Sequence, residues 1–295
     1  MVLGLMQRFR YLNSFAIAGR WYTTEDRETV LSEFERDTQV ERIDDHHFKG
    51  LVDAGWNISV NPNGGYLLSI VSAAIAESVD HPDPLSFTAH YLRPGVSGVE
   101  CEVIVDVVRQ GRTLSTVRAS LWQEGKQRVE IIAAYGDLSS PVGIDSDITI
   151  EMPRLPPPES CIARSGDIQG IDIAMINKLH VMMHPDQAMP GQAGVAEISG
   201  WIRFTDEREP DTRSLLLFCD TFPPSPFGKL GMIGWVPTIE LTVHVRRRPA
   251  PGWILGRFRT DDLVDGRMIE TGELWDSTGA LVADCRQIGL VLQKA

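Results

Sequence analysis

From residue 101 to 107 the odd positions are Cys, Val, Val and Val, while the even ones are Glu, Ile and Asp. This mostly period-two pattern predicts a strand with one buried face. Residues 113–122 and 128–136 extend it on either side of a Glu124-Gly125 turn, making an antiparallel meander. Upstream, residues 48–56 read as a strand and Asn61-Pro62-Asn63-Gly64-Gly65 as a sharp turn. Residues 66–79 carry small apolar side chains without a break, which predicts a largely buried helix. One helix followed by a meander is an α+β unit with the helix on one sheet face.

The plan then recurs. Strands are predicted at 171–183 and 193–204, a helix from about Thr212 capped by Asp211 or Thr212, and strands at 238–245, 253–260, 267–275 and 281–292. Local sequence repeats with it. His90-Tyr91-Leu92-Arg93 is echoed by His244-Val245-Arg246-Arg247 and Gly125-Lys126 by Gly279-Ala280, both at an offset of 154 residues; Gly111-Arg112 is echoed by Gly266-Arg267 at 155. An offset kept this well indicates a duplicated unit, so polar residues present in only one copy become candidates for chemistry. Between the copies, 138–169 holds Pro153 and Pro156-Pro157-Pro158 without periodicity and reads as a linker over the surface. The expected organisation is an extension over 1–33, a unit over 34–137, the linker over 138–169 and a second unit over 170–295.

Composition narrows the function. A net charge of −12 and a pI near 5.0 argue against nucleic-acid binding, which needs a basic face. No apolar run is long enough to cross a bilayer. Cys101, Cys161, Cys219 and Cys285 are far apart, which reads as reduced thiols in a cytoplasmic protein. Residues 1–20 hold Arg8, Arg10 and Arg20 and no acids, but the apolar stretch is broken and no clean cleavage site follows. An extension or a short leading helix is expected there rather than a targeting peptide. There is no GxSxG elbow, no phosphate loop and no GxGxxG turn. His180 and His184 have zincin spacing, but Val181 stands where that motif needs Glu, and His46-His47 reads as a solvated strand end. No metal and no cofactor are expected.

The order Asn63-Gly64-Gly65-Tyr66, Leu85-Ser86-Phe87, Tyr91-Leu92-Arg93-Pro94-Gly95 and Arg109-Gln110-Gly111-Arg112 resembles the acyl-CoA thioesterase II family. The resemblance spans about residues 34–292. It implies a double hotdog fold, two tandem units each with a long helix wrapped by an antiparallel sheet. It also implies hydrolysis of acyl-CoA to fatty acid and coenzyme A by direct attack of a water held by an Asp, a Thr and a Gln of the second unit. Matched by local sequence, these fall on Asp220, Thr238 and Gln287. Two positions depart from better-known members: Leu85 replaces a His before the Leu-Arg-Pro-Gly strand, and Glu240 replaces an Asp.

The residues themselves support two of the three. Gln287 is the one strongly polar member of the face Leu281, Ala283, Cys285, Gln287, Gly289, Val291, and its counterpart 154 residues earlier is Ala133. Asp220 ends an apolar run, where partial desolvation makes a better base, and its counterpart is Tyr66. The alternatives are a helix-end carboxylate beside Pro223-Pro224 and a satisfied core amide. Alternation puts Thr238 on the face of Glu240, Thr242 and His244, away from Gln287 unless Pro237 or a bulge re-aims it. Gly64 and Gly65 leave helix-start N–H groups that either polarise a carbonyl or only make a tight turn. Arg246 and Arg247, with Arg248, either meet coenzyme A phosphates or form a solvated strand end.

Two rival readings remain at this point: a hotdog hydratase or dehydratase using His90 or His244, and a non-catalytic acyl-CoA-binding protein. Apolar residues on both faces of one strand, Ile104 and Val108 opposite Val103 and Val107, predict a homodimer or larger even assembly with the proline-rich linker outside the interface.

Overall fold

The computed structural model describes residues 15–17, 20–22, 31–140, 142–144 and 148–292. Of the extension, only its last residues, 31–33, and a pair of three-residue strands, Phe15–Ile17 and Arg20–Tyr22, are described. The targeting and leading-helix expectations otherwise lie outside the described residues.

The first half contains α1 (Glu33–Thr38), β1 (His47–Leu51), α2 (Gly64–Ala76), β2 (Asp83–Tyr91), β3 (Glu100–Gln110), β4 (Ser115–Gln123) and β5 (Lys126–Gly136). The second contains β6 (Leu179–Met183), β7 (Glu197–Phe204), α3 (Ser214–Phe218), α4 (Phe227–Leu230), β8 (Thr238–Val245), β9 (Ile254–Val264), β10 (Arg267–Trp275) and β11 (Leu281–Leu290). Among the described residues, thirteen strands join in one antiparallel sheet. From one edge the order is Ile162–Ala163, β6, β7, β9, β10, β11, β8, β2, β5, β4, β3, β1 and Glu41–Arg42. Outward from the β2–β8 junction the two sides have the same order: β2, β5, β4, β3, β1 on one and β8, β11, β10, β9, β7 on the other. At the junction Thr88 faces Thr242, 154 residues on, and their hydroxyls meet at 3.0 Å. The antiparallel junction is therefore centred on two residues related by the offset of the sequence repeat.

Alternation explains the layering. Phe87 and Ala89 of β2, Val103 and Val105 of β3, Leu241 and Val243 of β8, and Ala283 and Cys285 of β11 turn to one face and are buried. α2 lies on that face against β2, β3 and β4, with α3 beside it, in one continuous core. Eleven of the thirteen α2 residues are buried, so it is a core helix without a polar stripe.

Three expectations need correction. The strand expected over 48–56 ends at Leu51, and Ala54–Trp56 is a 3-10 turn held by the Asp53 carboxylate on Gly55 N–H at 2.8 Å. The strand expected over 171–183 is confined to Leu179–Met183, because Ala174–Asn177 forms another 3-10 turn. The second helix is short rather than long. Asp211 accepts from Ser214 N–H at 2.7 Å just ahead of it, the N-cap position itself is Arg213 without a side-chain cap, and regular helix stops at Phe218. Pro223, Pro224 and Pro226 follow, and none can donate an amide to continue it.

The proline-rich stretch lies across the second half in part. The Trp275 and Trp201 indole N–H groups donate to the Ile150 and Pro156 carbonyls at 3.0 and 2.8 Å. Its end departs from the surface-linker expectation: Ile162–Ala163 adds an edge strand, and Arg164 and Gln169 turn inward and are buried.

Candidate active site

α2 begins where it does because Asn63, in an extended conformation, caps it: Oδ1 accepts from Tyr66 N–H at 2.9 Å. The Nδ2 of the same side chain reaches across to the turn after α3, donating to the Asp220 carbonyl at 2.6 Å and to its Oδ2 at 3.0 Å. Gly65 N–H donates to that same Oδ2 at 2.9 Å. Asp220 thus occupies the anion position at the start of a helix from the other half of the chain.

The two glycines make this approach sterically allowed. A Cβ on Gly64 would lie 2.8 Å from Asp220 Oδ2, and one on Gly65 would lie 2.7 Å from the Leu216 carbonyl and 2.9 Å from Leu217 Cα. The expectation that these N–H groups stand open for a substrate carbonyl is therefore corrected for Gly65, whose hydrogen is committed to Asp220.

Burial pushes the Asp220 carboxyl up to about 6, with the nearby Glu270 charge adding to the rise. The Gly65 and Gly64 N–H groups and the Arg164 guanidinium pull it back, and desolvation wins. A carboxylate so placed is a proton acceptor tuned near neutrality. Its Oδ1 accepts no hydrogen bond among the described residues, which leaves that oxygen for another donor.

On the opposite wall, Thr238 Oγ1 donates to Gln287 Oε1 at 2.7 Å, and Gln287 Nε2 donates to Glu270 Oε1 at 2.5 Å. Simple alternation pointed Thr238 away. The β8–β11 register slips between Thr238 and Glu240, and this bulge turns the hydroxyl inward. Glu270, buried at 3% exposure, also accepts from Ser225 N–H at 2.7 Å, and burial raises its carboxyl above the usual range. Each partner of the amide is thereby fixed, and Gln287 has one orientation.

Asp220, Thr238, Gln287, Glu270 and Gly64 all line a single cavity of about 380 Å³. Apolar walls come from Leu67, Ile171, Phe222, Phe258, Met232 and Trp235. Such a mixture of apolar wall and few convergent polar groups suits a small-molecule site. Arg164 also lines it. Its Nε donates to Gln169 Oε1 at 3.0 Å and its Nη1 to the Thr221 carbonyl, and burial lowers the guanidinium to about 10.

Sequence reasoning missed Asn63 as a positioning group, Glu270, Arg164 and Tyr91. Glu270 carried the same signal as Gln287: it interrupts the inward set Met268, Gly272 and Leu274 of β10. Arg164 carried none, lying in an aperiodic stretch.

Arg246 and Arg247 are not brought to the cavity. They follow the far end of β8, about 26 Å along the strand from Thr238 at the usual rise per residue. Their backbone N–H groups extend the β8–β11 pairing past Val245 by donating to the Val282 carbonyl at 2.7 and 3.4 Å. His90 and His244 do not line the cavity either; both are exposed on the outer face, His244 beside Asp284 at 3.1 Å. His180 packs on Trp253, and His184 caps the short turn at Asp186. Ala133, the counterpart of Gln287, is buried in the apolar core of the first half.

Comparison with known proteins shows which family the chain resembles along its length. The acyl-CoA thioesterase N-terminal domain model matches residues 52–139, and the acyl-CoA thioesterase C-terminal domain model matches residues 158–291. The thioesterase-like protein TwmA of Talaromyces wortmannii is 23% identical over 64% of this chain, and the chain spans 62% of that protein's length. A putative thioesterase II from Thermobifida fusca is 26% identical and superposes with a TM-score of 0.78, covering 88% of this chain and 98% of its own. A conserved hotdog-fold protein of unknown function from Alicyclobacillus acidocaldarius, 23% identical, gives 0.79 over 90% of this chain and 100% of its own. With both domain models matched in order over most of its length, the chain belongs to the acyl-CoA thioesterase II-like family and has a hotdog fold.

Proposed function

We propose that this protein hydrolyses acyl-CoA to free fatty acid and coenzyme A, with Asp220, Thr238 and Gln287 holding the attacking water. The observation that carries the reading is the convergence of an elevated-pKa carboxylate and a fixed Thr–Gln–Glu chain on one largely apolar cavity. A thioester is an activated acyl group with a good leaving thiolate, so a positioned water, one base and a donor at the carbonyl oxygen suffice. Asp220 takes a proton from the water as its oxygen bonds to the carbonyl carbon. When the C–S bond breaks, the same proton goes to the departing thiolate. Thr238 and Gln287 hold the water, and Glu270 fixes the amide that does so.

In this reading the chain is a double hotdog: a unit over 34–137 and a catalytic unit over 170–295, joined by 138–169 and preceded by an extension. The repeated strand order and the Thr88–Thr242 pairing support it. The second unit alone carries the base and the water-holding Thr and Gln, since Tyr66 and Ala133 occupy the positions matching Asp220 and Gln287. Gln287→Ala should therefore remove at least about 90% of thiol release from acyl-CoA, because truncation removes a group that holds the water and leaves buried Glu270 Oε1 without its donor. Ala133→Gln should create no new activity in a Gln287→Ala background. Full activity of Gln287→Ala would remove the amide from the mechanism.

We also propose a homodimer or larger even assembly. The outer sheet face carries exposed Val108 and Ile132, at 58% and 50%, beside half-buried Ile104. Light scattering at micromolar concentration should give at least twice the 32.8 kDa of the chain. A stable species at that mass would show that one chain is already closed.

A further inference from the structure

Tyr91 ends β2 against the cavity wall, and its Oη is buried with no hydrogen-bond partner among the described residues. Buried hydroxyls are ordinarily paired, so an unpaired one lining a site points to a partner that arrives with the ligand. Most donors around it are already engaged, and the second Gln287 Nε2 hydrogen is taken up in holding the water. Gly65 N–H and Asn63 Nδ2 serve Asp220, Thr238 serves Gln287, and Gln287 Nε2 serves Glu270. What the site still needs is a donor where negative charge gathers on the thioester carbonyl oxygen.

Position fits that need. A Cβ on Gly64 would lie 2.8 Å from Tyr91 Oη and 2.8 Å from Asp220 Oδ2, so the phenol and the carboxylate border the same space over Gly64. They are close enough to reach a water and a carbonyl oxygen on one reacting carbon, without bonding each other. Burial and the Asp220 charge both hold the phenol in its protonated, donating form.

We infer that Tyr91 is a further catalytic residue, donating its phenolic hydrogen bond to the thioester carbonyl oxygen and to the oxyanion that forms on it. The inference rests on the thioesterase reading above. As the water oxygen bonds to the carbonyl carbon, the C=O π pair moves onto oxygen and is met by the Tyr91 O–H, whose proton stays on tyrosine. On collapse the pair returns and the C–S bond breaks.

Tyr91→Phe keeps the ring and removes the donor. On the acyl-CoA that the parent cleaves fastest, kcat should fall by about 10- to 100-fold with KM within about twofold, because the bond strengthens only as charge develops. Tm should be unchanged or higher, since an unpaired buried hydroxyl has gone. A trifluoromethyl ketone analogue of that acyl-CoA, which binds as a tetrahedral adduct, should lose affinity by a similar factor, while an S-alkyl-CoA thioether without a carbonyl should not. If the parent turns over substrate and Tyr91→Phe matches it in kcat and in ketone affinity, the role of Tyr91 is overturned and the thioesterase reading stands. An unchanged ketone affinity with a displaced acid limb of the pH profile would place the hydroxyl on Asp220 and overturn it as well. If the parent neither cleaves acyl-CoA nor binds either analogue, both readings fall together.

Discussion

Asp220→Asn is expected to lower acyl-CoA hydrolysis by about a hundredfold or more while making the folded protein more stable above pH 6. The two effects share one cause. The folded-state carboxyl sits at about 6, above its ordinary 3.8, because burial disfavours the charged form more than the Gly65 and Gly64 N–H groups favour it. A carboxyl raised on folding prefers its proton in the native state. The contribution of Asp220 to stability is therefore most favourable below about pH 4, declines as pH rises through 6, and is least favourable above it. A shift of roughly two units corresponds to about 3 kcal/mol. Asparagine has no charge to desolvate and can keep an oxygen toward Gly65 and Asn63. Its Tm at pH 8 should exceed the parent's by roughly 5–10 °C, and the two should converge near pH 4. Glu270, also raised by burial, gives the parent the same slope. Equal Tm values at pH 8, together with parental activity, would mean that Asp220 is neither strained nor the base.

Gly65→Ala should damage both stability and activity for the addition of a single methyl. Its Cβ would fall 2.7 Å from the Leu216 carbonyl, 2.9 Å from Leu217 Cα and 3.0 Å from Asp220 Cβ. Two of these are backbone atoms of the α3 region and cannot rotate away, so α2 must move off the Asp220 turn. Overpacking of this kind costs about 1–3 kcal/mol, only partly offset by alanine's better helix propensity. The same movement lengthens the 2.9 Å contact from Gly65 N–H to Asp220. Thermal melts and thiol release should therefore fail together: Tm lower by several degrees, and hydrolysis reduced at least tenfold even at temperatures where the variant is fully folded. A Gly65→Ala protein with parental activity would show that the helix start does not hold the carboxylate.

The strands were legible because one face of the sheet is buried, and burial on one face writes period two into the sequence. Ser115–Gln123 shows this most simply, with Ser115, Val117, Ala119, Leu121 and Gln123 all buried and the residues between them not. α2 was legible for a different reason: its unbroken apolar run lies between a turn and a meander. The second helix misled because its apolar run looks helical as far as Asp220, whereas the proline cluster after it sets its length.

In the site, Gln287 stood out as a polar residue on an apolar strand face, and Asp220 as a charge ending an apolar run. Thr238 could not be oriented from alternation, since a bulge shifts the period by one residue and leaves no local mark in the sequence. Arg164 and the bond from Asn63 to Asp220 depend on segments 56 and 157 residues from the carboxylate in sequence, and only the folded chain brings them together. Arg246 and Arg247 were suggested by charge alone, without a register that would bring them to the cavity.

The pH dependence of kcat for acyl-CoA hydrolysis, measured by thiol release from pH 4.5 to 8, tests the central claim most directly. A water activated by Asp220 requires the ionised carboxylate, so log kcat should climb with unit slope below about 6 and level off above it. Asp220→Asn should lack that limb and sit near its floor throughout. No release above the uncatalysed rate at any pH, or a rate flat between pH 4.5 and 7, would contradict the account.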